Sequence, residues 1–235
     1  MVIYMKIISH RGESKYAPEN TMSAFFLADL INSDGIECDI RKTKDDELVL
    51  IHDKTIDRTS TSKGKVSDYT YNELLDKDFG NKHYKGEHIV KLTEFLKYFS
   101  NKNIDIYLEV KEGGYEILIY DTIIQYNLKN VTLISFKYDI LENFRNISSK
   151  LKLGWLVYDI NDMIIENSKK ININEILCNS ISLNKEDVEL LKENNIEVAC
   201  WGIKNKAELK RVAKLGVDVI IYDSAYDAKK VLKNE

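Results

Sequence analysis

Ile36-Glu37-Cys38-Asp39-Ile40-Arg41-Lys42-Thr43-Lys44-Asp45-Asp46-Glu47-Leu48-Val49-Leu50-Ile51 contains two apolar runs separated by only the seven residues Arg41–Glu47. A parallel crossover needs about a dozen residues or more, so the two runs must form an antiparallel hairpin. The chain holds nine Ile- and Val-rich runs of strand length: Val2–Ser9, Ile36–Ile40, Leu48–Ile51, Ile104–Val110, Val131–Phe136, Leu151–Tyr158, Glu175–Leu183, Ile196–Ile203 and Val217–Tyr222. Such near-continuous apolar character is that of strands covered on both faces, as in parallel sheets. Amphipathic stretches of helical length lie between most of them, clearest at Glu186–Asn194 and Lys206–Leu215, and a last one covers Ala225–Lys233. Setting aside Leu48–Ile51 as the hairpin's second arm leaves eight strand–helix repeats, the number that closes an α/β fold into a (β/α)8 TIM barrel.

The whole chain, 1–235, therefore reads as one barrel domain, with a small insertion after the second strand at about 54–91. That insertion, rich in turn residues, is expected to carry one short helix near Tyr71–Leu75 and to stand at the barrel mouth. An ordered excursion of this length inside a domain is usually functional.

Composition narrows the function. With 34 basic and 38 acidic residues the net charge is −4, which gives no reason to expect a nucleic-acid binder, since a phosphate backbone demands a basic face. No run approaches the ~20 apolar residues of a membrane span. The opening MVIYMKIISHRG reads as a first strand and not as a secretory leader, and Met5 offers a second start that leaves this strand intact. Cys38, Cys178 and Cys200 are odd in number and widely spaced, as expected of free thiols in the cytoplasm. The sequence carries no sign of oligomeric state.

In a (β/α)8 barrel, reactive groups sit where strands end. Here those ends carry Ser9-His10-Arg11-Gly12, Glu37-Cys38-Asp39, His52-Asp53 and Glu109-Val110-Lys111. Side chains alternate along a strand, so Glu37 and Asp39 share one face, and Glu109 and Lys111 share one face. Carboxylates turned into an apolar barrel need a cation, donors or a proton. Three of them form a hard oxygen site suited to one divalent metal, Mg2+ or Ca2+. With a two-residue turn at Asp45-Asp46, Lys44 faces Glu47, Arg41 faces Leu50 and Asp39 faces His52, which places His52 over the carboxylates. A one-residue slip would send His52 to the other face. Two imidazoles beside a hard metal suit in-line displacement at phosphorus, one removing a proton and the other supplying one.

These motifs resemble those of the glycerophosphodiester phosphodiesterase family. The match runs through His10-Arg11-Gly12, Ala17-Pro18-Glu19-Asn20-Thr21, Glu37-x-Asp39, Thr43-Lys44-Asp45, His52-Asp53, Asp57-Arg58-Thr59, Glu109-x-Lys111, Ser135-Phe136, Trp201 and Gly216-Val217-Asp218-x-Ile220-Ile221-x-Asp223. The resemblance implies a (β/α)8 barrel and metal-dependent hydrolysis of glycerophosphodiesters to sn-glycerol 3-phosphate and an alcohol, so the partner is a small-molecule substrate. It implies His10 and His52 as the acid/base pair, and Glu37, Asp39 and Glu109 as metal ligands. It further implies Arg11 and Lys111 against the phosphate, and Phe136 and Trp201 as apolar walls. The chain departs from the family pattern at Asp46, at Ile89-Val90 and at Tyr222-Asp223-Ser224-Ala225.

Each piece also has a plain structural reading. His83 and His88 read as surface residues of the insertion, Pro18–Thr21 as a helix start capped by Asn20 or Thr21, and Arg58 as a residue that orders the insertion. Two other functions fit the same motifs: a lyase of the sphingomyelinase D type that cyclises its substrate, and an inactive barrel used as a binding module.

Overall fold

The computed structural model describes residues 5–128 and 130–233. Residues 2–4 of the expected first strand lie outside the described residues. Strands β1 (Lys6–His10), β2 (Gly35–Lys42), β5 (Asp105–Val110), β6 (Val131–Ser135), β7 (Lys152–Val157), β8 (Glu175–Asn179), β9 (Glu197–Trp201) and β10 (Val219–Tyr222) pair in parallel in the order β1-β10-β9-β8-β7-β6-β5-β2, and β2 returns to β1. The closing registers set Ser9 beside Tyr222 and His10 beside Glu37. This is the closed eight-stranded barrel that the strand–helix alternation predicts.

Alternation sorts each strand into two layers. Ile36, Cys38 and Ile40 of β2 face outward into the layer shared with the helices, which also holds Ile106, Leu108 and Val110 of β5. Ile8, Tyr107, Ile134, Leu156, Leu177, Ala199, Val219 and Ile221 fill the interior. Strand β2 adds no apolar side chain to that interior, because its inward positions are Gly35, Glu37 and Asp39. A Cβ at Gly35 would lie 2.6 Å from both the Asp105 carbonyl oxygen and Ile8 Cδ1, so only glycine admits Ile8 there. All three cysteines are buried and unbridged.

The outer helices start where the local chemistry allows. Thr21 caps α1 (Met22–Leu30) by accepting from the Ala24 N–H at 3.3 Å. Asn184 and Asp187 form a capping box on α7 (Lys185–Glu193), Asn205 caps α8 (Lys206–Lys214), and α9 (Ala225–Lys233) has the predicted bounds. No helix of the described residues is long and apolar enough to cross a membrane.

The hairpin forms, with a different register. Strand β3 (Leu48–Leu50) pairs antiparallel to β2 through Ile40–Leu50, Arg41–Val49 and Lys42–Leu48. The turn holds three residues, not two: Thr43 donates its N–H to the Glu47 carbonyl at 2.9 Å, and Asp46 takes a left-handed φ of 63°. A type I turn followed by a left-handed residue is the common three-residue hairpin solution. Asp39 is consequently opposite Ile51, whose N–H reaches the Asp39 carbonyl at 2.8 Å.

The insertion is more ordered than a run of turns. It contains a 3-10 turn at Val66–Asp68, the expected helix α2 (Tyr71–Leu75) and a short strand, β4 (Val90–Lys91), antiparallel to β3. Its own small core packs Ile56, Val66, Leu74, Phe79 and Ile89 against Val49 and Ile51. Helix α3 (Leu92–Phe99) follows directly and returns the chain to the barrel.

Candidate active site

The strand ends converge on a cavity of about 500 Å³ lined by His10, Arg11, Glu37, His52, Glu109 and Lys111 on its polar side. Phe136, Tyr158, Trp201 and Ile203 line its apolar side. Every residue expected at the site from sequence lines this cavity except Asp39, which is completely buried behind it.

Glu37, Asp39 and Glu109 each offer an oxygen lying within 4.8 Å of the others. The register explains this, since Asp39 pairs with Glu109 across β2 and β5. Lys111 Nζ stands 2.8 Å from Asp39 Oδ1 and 2.6 Å from Glu109 Oε2. Arg11 Nε stands 3.1 Å from Asp39 Oδ2, and the Arg11 N–H donates to Glu37 Oε2 at 3.0 Å. Asn20, with a left-handed φ of 57°, turns its side chain back to donate to Asp39 Oδ2 at 2.8 Å.

The three acids respond differently to this setting. Burial raises the Glu37 carboxyl well above the carboxylate range, and the neighbouring Asp39 charge adds to it. Burial and Asp39 likewise raise Glu109. For Asp39, burial opposes ionisation but Lys111, Arg11 and His52 outweigh it, holding the group well below its ordinary value. Three carboxyl groups thus share two cations, Arg11 and Lys111, and Glu37 and Glu109 are pushed toward their neutral forms for want of further positive charge. Glu37 Oε1 is buried and accepts no hydrogen bond among the described residues. A hard divalent cation fits this donor set: all oxygen, closely grouped, with one acceptor unspent.

Both histidines are oriented from behind. His10 Nδ1 lies 2.7 Å from Asp223 Oδ1, and His52 Nδ1 lies 2.7 Å from Asp53 Oδ1. The His10 hydrogen bond holds the Asp223 carboxyl below its ordinary value, and Arg58, with His52, brings Asp53 down to about 2. An ionised carboxylate only accepts, so each Nδ1 carries the proton and each Nε2 is left for chemistry. His10 Nε2 is 3.9 Å from Glu37 Oε2. Burial lowers the His52 ring below its ordinary value, despite the raising effect of Asp39.

His52 reaches the cavity by a different route from the expected one. In the observed register, strict alternation would turn it away from Asp39. The strand instead ends at Leu50, the chain bends, and Arg41 Nε holds the His52 carbonyl at 2.9 Å.

The apolar side is a cluster of three rings. Phe136 stacks on Tyr158 at 5.5 Å, and both meet Trp201 edge-on at 5.2 and 5.4 Å. Trp201 is fixed by donating Nε1–H to the Leu177 carbonyl at 2.9 Å. Sequence reasoning missed Tyr158, which lies just past the end of β7 and has no motif around it. It also left Asp223 without a role, although its position one residue past β10 is the signal that marks the other site residues.

A model of the glycerophosphoryl diester phosphodiesterase family matches residues 10–226. Over 233 residues the chain is 34% identical to a glycerophosphodiester phosphodiesterase of Caldanaerobacter subterraneus subsp. tengcongensis, covering 92% of this chain and 93% of that one. It is 30% identical over 241 residues to a glycerophosphodiester phosphodiesterase of Bacillus altitudinis, covering 96% and 97%. Its backbone matches an Oleispira antarctica phosphodiesterase solved with the product sn-glycerol-3-phosphate, with a TM-score of 0.91 at 22% identity over 97% of this chain and 96% of that one, which speaks for the fold. From His10 at the end of β1 to Tyr226 in α9, this chain belongs to the glycerophosphoryl diester phosphodiesterase family.

Proposed function

We propose that the chain hydrolyses glycerophosphodiesters to sn-glycerol 3-phosphate and an alcohol, with one divalent metal, Mg2+ or Ca2+, and with His10 and His52 as the acid/base pair. The observation that carries this reading is the convergence of Glu37, Asp39 and Glu109 in one cavity with two histidines, each backed by a carboxylate at 2.7 Å.

Glu37, Asp39 and Glu109 would hold the cation, which supplies charge screening for the phosphodiester and polarises its oxygens. Arg11 and Lys111 add positive charge beside those acids and bind the phosphate. One histidine accepts a proton at Nε2 as the attacking oxygen bonds to phosphorus. The other donates from Nε2 to the departing alcohol oxygen as the P–O bond breaks. Solvent then resets both rings. The attacking oxygen belongs to water or to the neighbouring glycerol hydroxyl, the latter giving a cyclic phosphate that water opens. Phe136, Tyr158 and Trp201 form the wall for the alcohol portion. The three buried thiols support a cytoplasmic setting, and the insertion's packing on β3 supports reading the chain as one barrel domain with an elaborated mouth.

Incubation with glycerophosphocholine and Mg2+ or Ca2+, followed by 31P NMR, tests the reading. The expected product is sn-glycerol 3-phosphate, lost with EDTA and lost in His10→Ala. A cyclic phosphate that accumulates as end product would favour the lyase, and no turnover across a panel of glycerophosphodiesters and metals would favour a binding module.

A further inference from the structure

One side chain of the insertion joins the loop after β1 to the bend after β3. Arg58 donates from Nη1 to Glu19 Oε2 at 2.6 Å and from Nη2 to Glu19 Oε1 at 2.8 Å. Its Nε donates to Asp53 Oδ2 at 2.7 Å. Both acids continue toward the cavity. Glu19 Oε1 also accepts from Arg11 Nη1 at 2.8 Å, and Asp53 Oδ1 accepts from His52 Nδ1 at 2.7 Å. The result is an unbroken series, His52–Asp53–Arg58–Glu19–Arg11, whose far end lies 3.1 Å from Asp39. Glu19 and Arg58 themselves do not line the cavity.

An arginine about half exposed, as Arg58 is, adds little to stability through an ion pair. What sets this one apart is the pair of acids it holds: one orients His52 and the other orients Arg11. A guanidinium presents a rigid planar fork that addresses two carboxylates at once, which a lysine ammonium does not reproduce. We propose that Arg58 and Glu19 are positioning residues that hold the Arg11 guanidinium and the His52 ring on the same phosphate. The proposal rests on the phosphodiesterase reading above, in which Arg11 binds phosphate and His52 transfers a proton. It also gives the insertion a task although none of its residues lines the cavity, since the segment that carries Arg58 is anchored by its own core on β3.

The test compares Arg58→Ala, Arg58→Lys, Glu19→Gln and Asp53→Asn by kcat, KM, melting temperature and calorimetric affinity for inorganic phosphate in the presence of Mg2+. Glu19→Gln is expected to weaken phosphate binding and raise KM more than it lowers kcat. Asp53→Asn is expected to lower kcat more than it raises KM. Arg58→Ala should do both, each by about tenfold, the size expected when a group that supports a site residue is removed. Arg58→Lys should recover less than half of the loss on a logarithmic scale. Arg58→Ala combined with Glu19→Gln should bind phosphate no more weakly than the worse single variant, as residues acting in one series do. A merely structural Arg58 would shift melting while leaving kcat, KM and phosphate affinity of the folded protein unchanged, and that result overturns the proposal. Independent, multiplying effects of Arg58 and Glu19 would also overturn it, as would a wild-type chain that binds no phosphate. If Arg58→Ala fails to fold, unaltered phosphate affinity in the near-isosteric Glu19→Gln decides against it. If the wild type binds phosphate but turns over no glycerophosphodiester, the catalytic reading fails while the affinity series still decides the positioning role.

Discussion

His10 Nδ1 stands 2.7 Å from Asp223 Oδ1, although 213 positions separate the two in the chain. Barrel closure produces the contact, because β1 and β10 are neighbours with Ser9 beside Tyr222, and the next residues, His10 at the end of β1 and Asp223 just past β10, reach the mouth together. In the proposed mechanism, fixing the proton on Nδ1 is what frees Nε2 to react. Asp223→Asn keeps the shape but can present an amide donor to Nδ1, which favours the wrong tautomer. The expected outcome is a kcat lower by roughly 10- to 100-fold with KM changed little, measured by steady-state release of glycerol 3-phosphate.

Removing one acid from the buried triad should separate metal binding from folding. Burial and the Asp39 charge both disfavour an ionised Glu37, so Glu37→Gln relieves the metal-free protein. Its melting temperature with EDTA should equal or exceed that of the wild type. The stabilisation from added Mg2+ or Ca2+, about 2.7 kcal/mol when free metal is 100 times its Kd, should vanish. Titration calorimetry and melting with and without EDTA check this, and an unchanged metal affinity would remove Glu37 from the ligand set.

Glu175 makes a pH prediction at the other end of the barrel interior. It is completely buried, accepts from the Tyr107 hydroxyl at 3.1 Å, and has Lys152 Nζ at 3.9 Å. Burial raises its carboxyl to about 7, against an ordinary value of 4.5. Between those two values the native state binds the extra proton, so this group's contribution to stability falls as pH rises from about 4.5 and is lost above about 7. Glu175→Gln cannot ionise and keeps an acceptor for Tyr107. The variant should gain on the order of 2–3 kcal/mol relative to wild type between pH 5 and pH 8, since one pKa unit corresponds to about 1.4 kcal/mol. Urea unfolding at the two pH values measures the difference, and parallel curves for the two proteins would refute it.

Tyr158 is 64% exposed, so its removal should not disturb folding. Its stacking on Phe136 and edge contact with Trp201 place it on the wall assigned to the alcohol. A quaternary ammonium against such rings gains about 1 kcal/mol per good contact. Tyr158→Ala should therefore raise KM for glycerophosphocholine about fivefold, the equivalent of that energy, and leave KM for glycerophosphoglycerol nearly unchanged. Equal effects on both substrates would mean that the ring does not meet the alcohol.

Much of the site was legible in short stretches. Glu37-x-Asp39 and Glu109-x-Lys111 could be assigned to one face each because pleated strands alternate, and β2 and β5 then set Asp39 beside Glu109. His52 shows where this reasoning ends. The hairpin was predicted correctly from the seven residues between its arms, but the turn held three residues instead of two and the register moved by one. His52 still entered the cavity because the pleat stops at Leu50 and Arg41 catches the next bend. The insertion followed the same pattern, with the short helix expected near Tyr71–Leu75 present as α2 and β4 missed because two residues carry no period.

The amino-acid order by itself determined the strand–helix alternation, the number of repeats, the hairpin and the inward face of the acids, since all of these depend on spacings within a few residues. Tertiary structure alone decided that Asp223 backs His10, that Arg58 and Glu19 join His52 to Arg11, and that Tyr158 completes a three-ring wall. Those relationships form at strand ends, where local periodicity has stopped and side chains from distant parts of the chain are brought together only when the barrel closes.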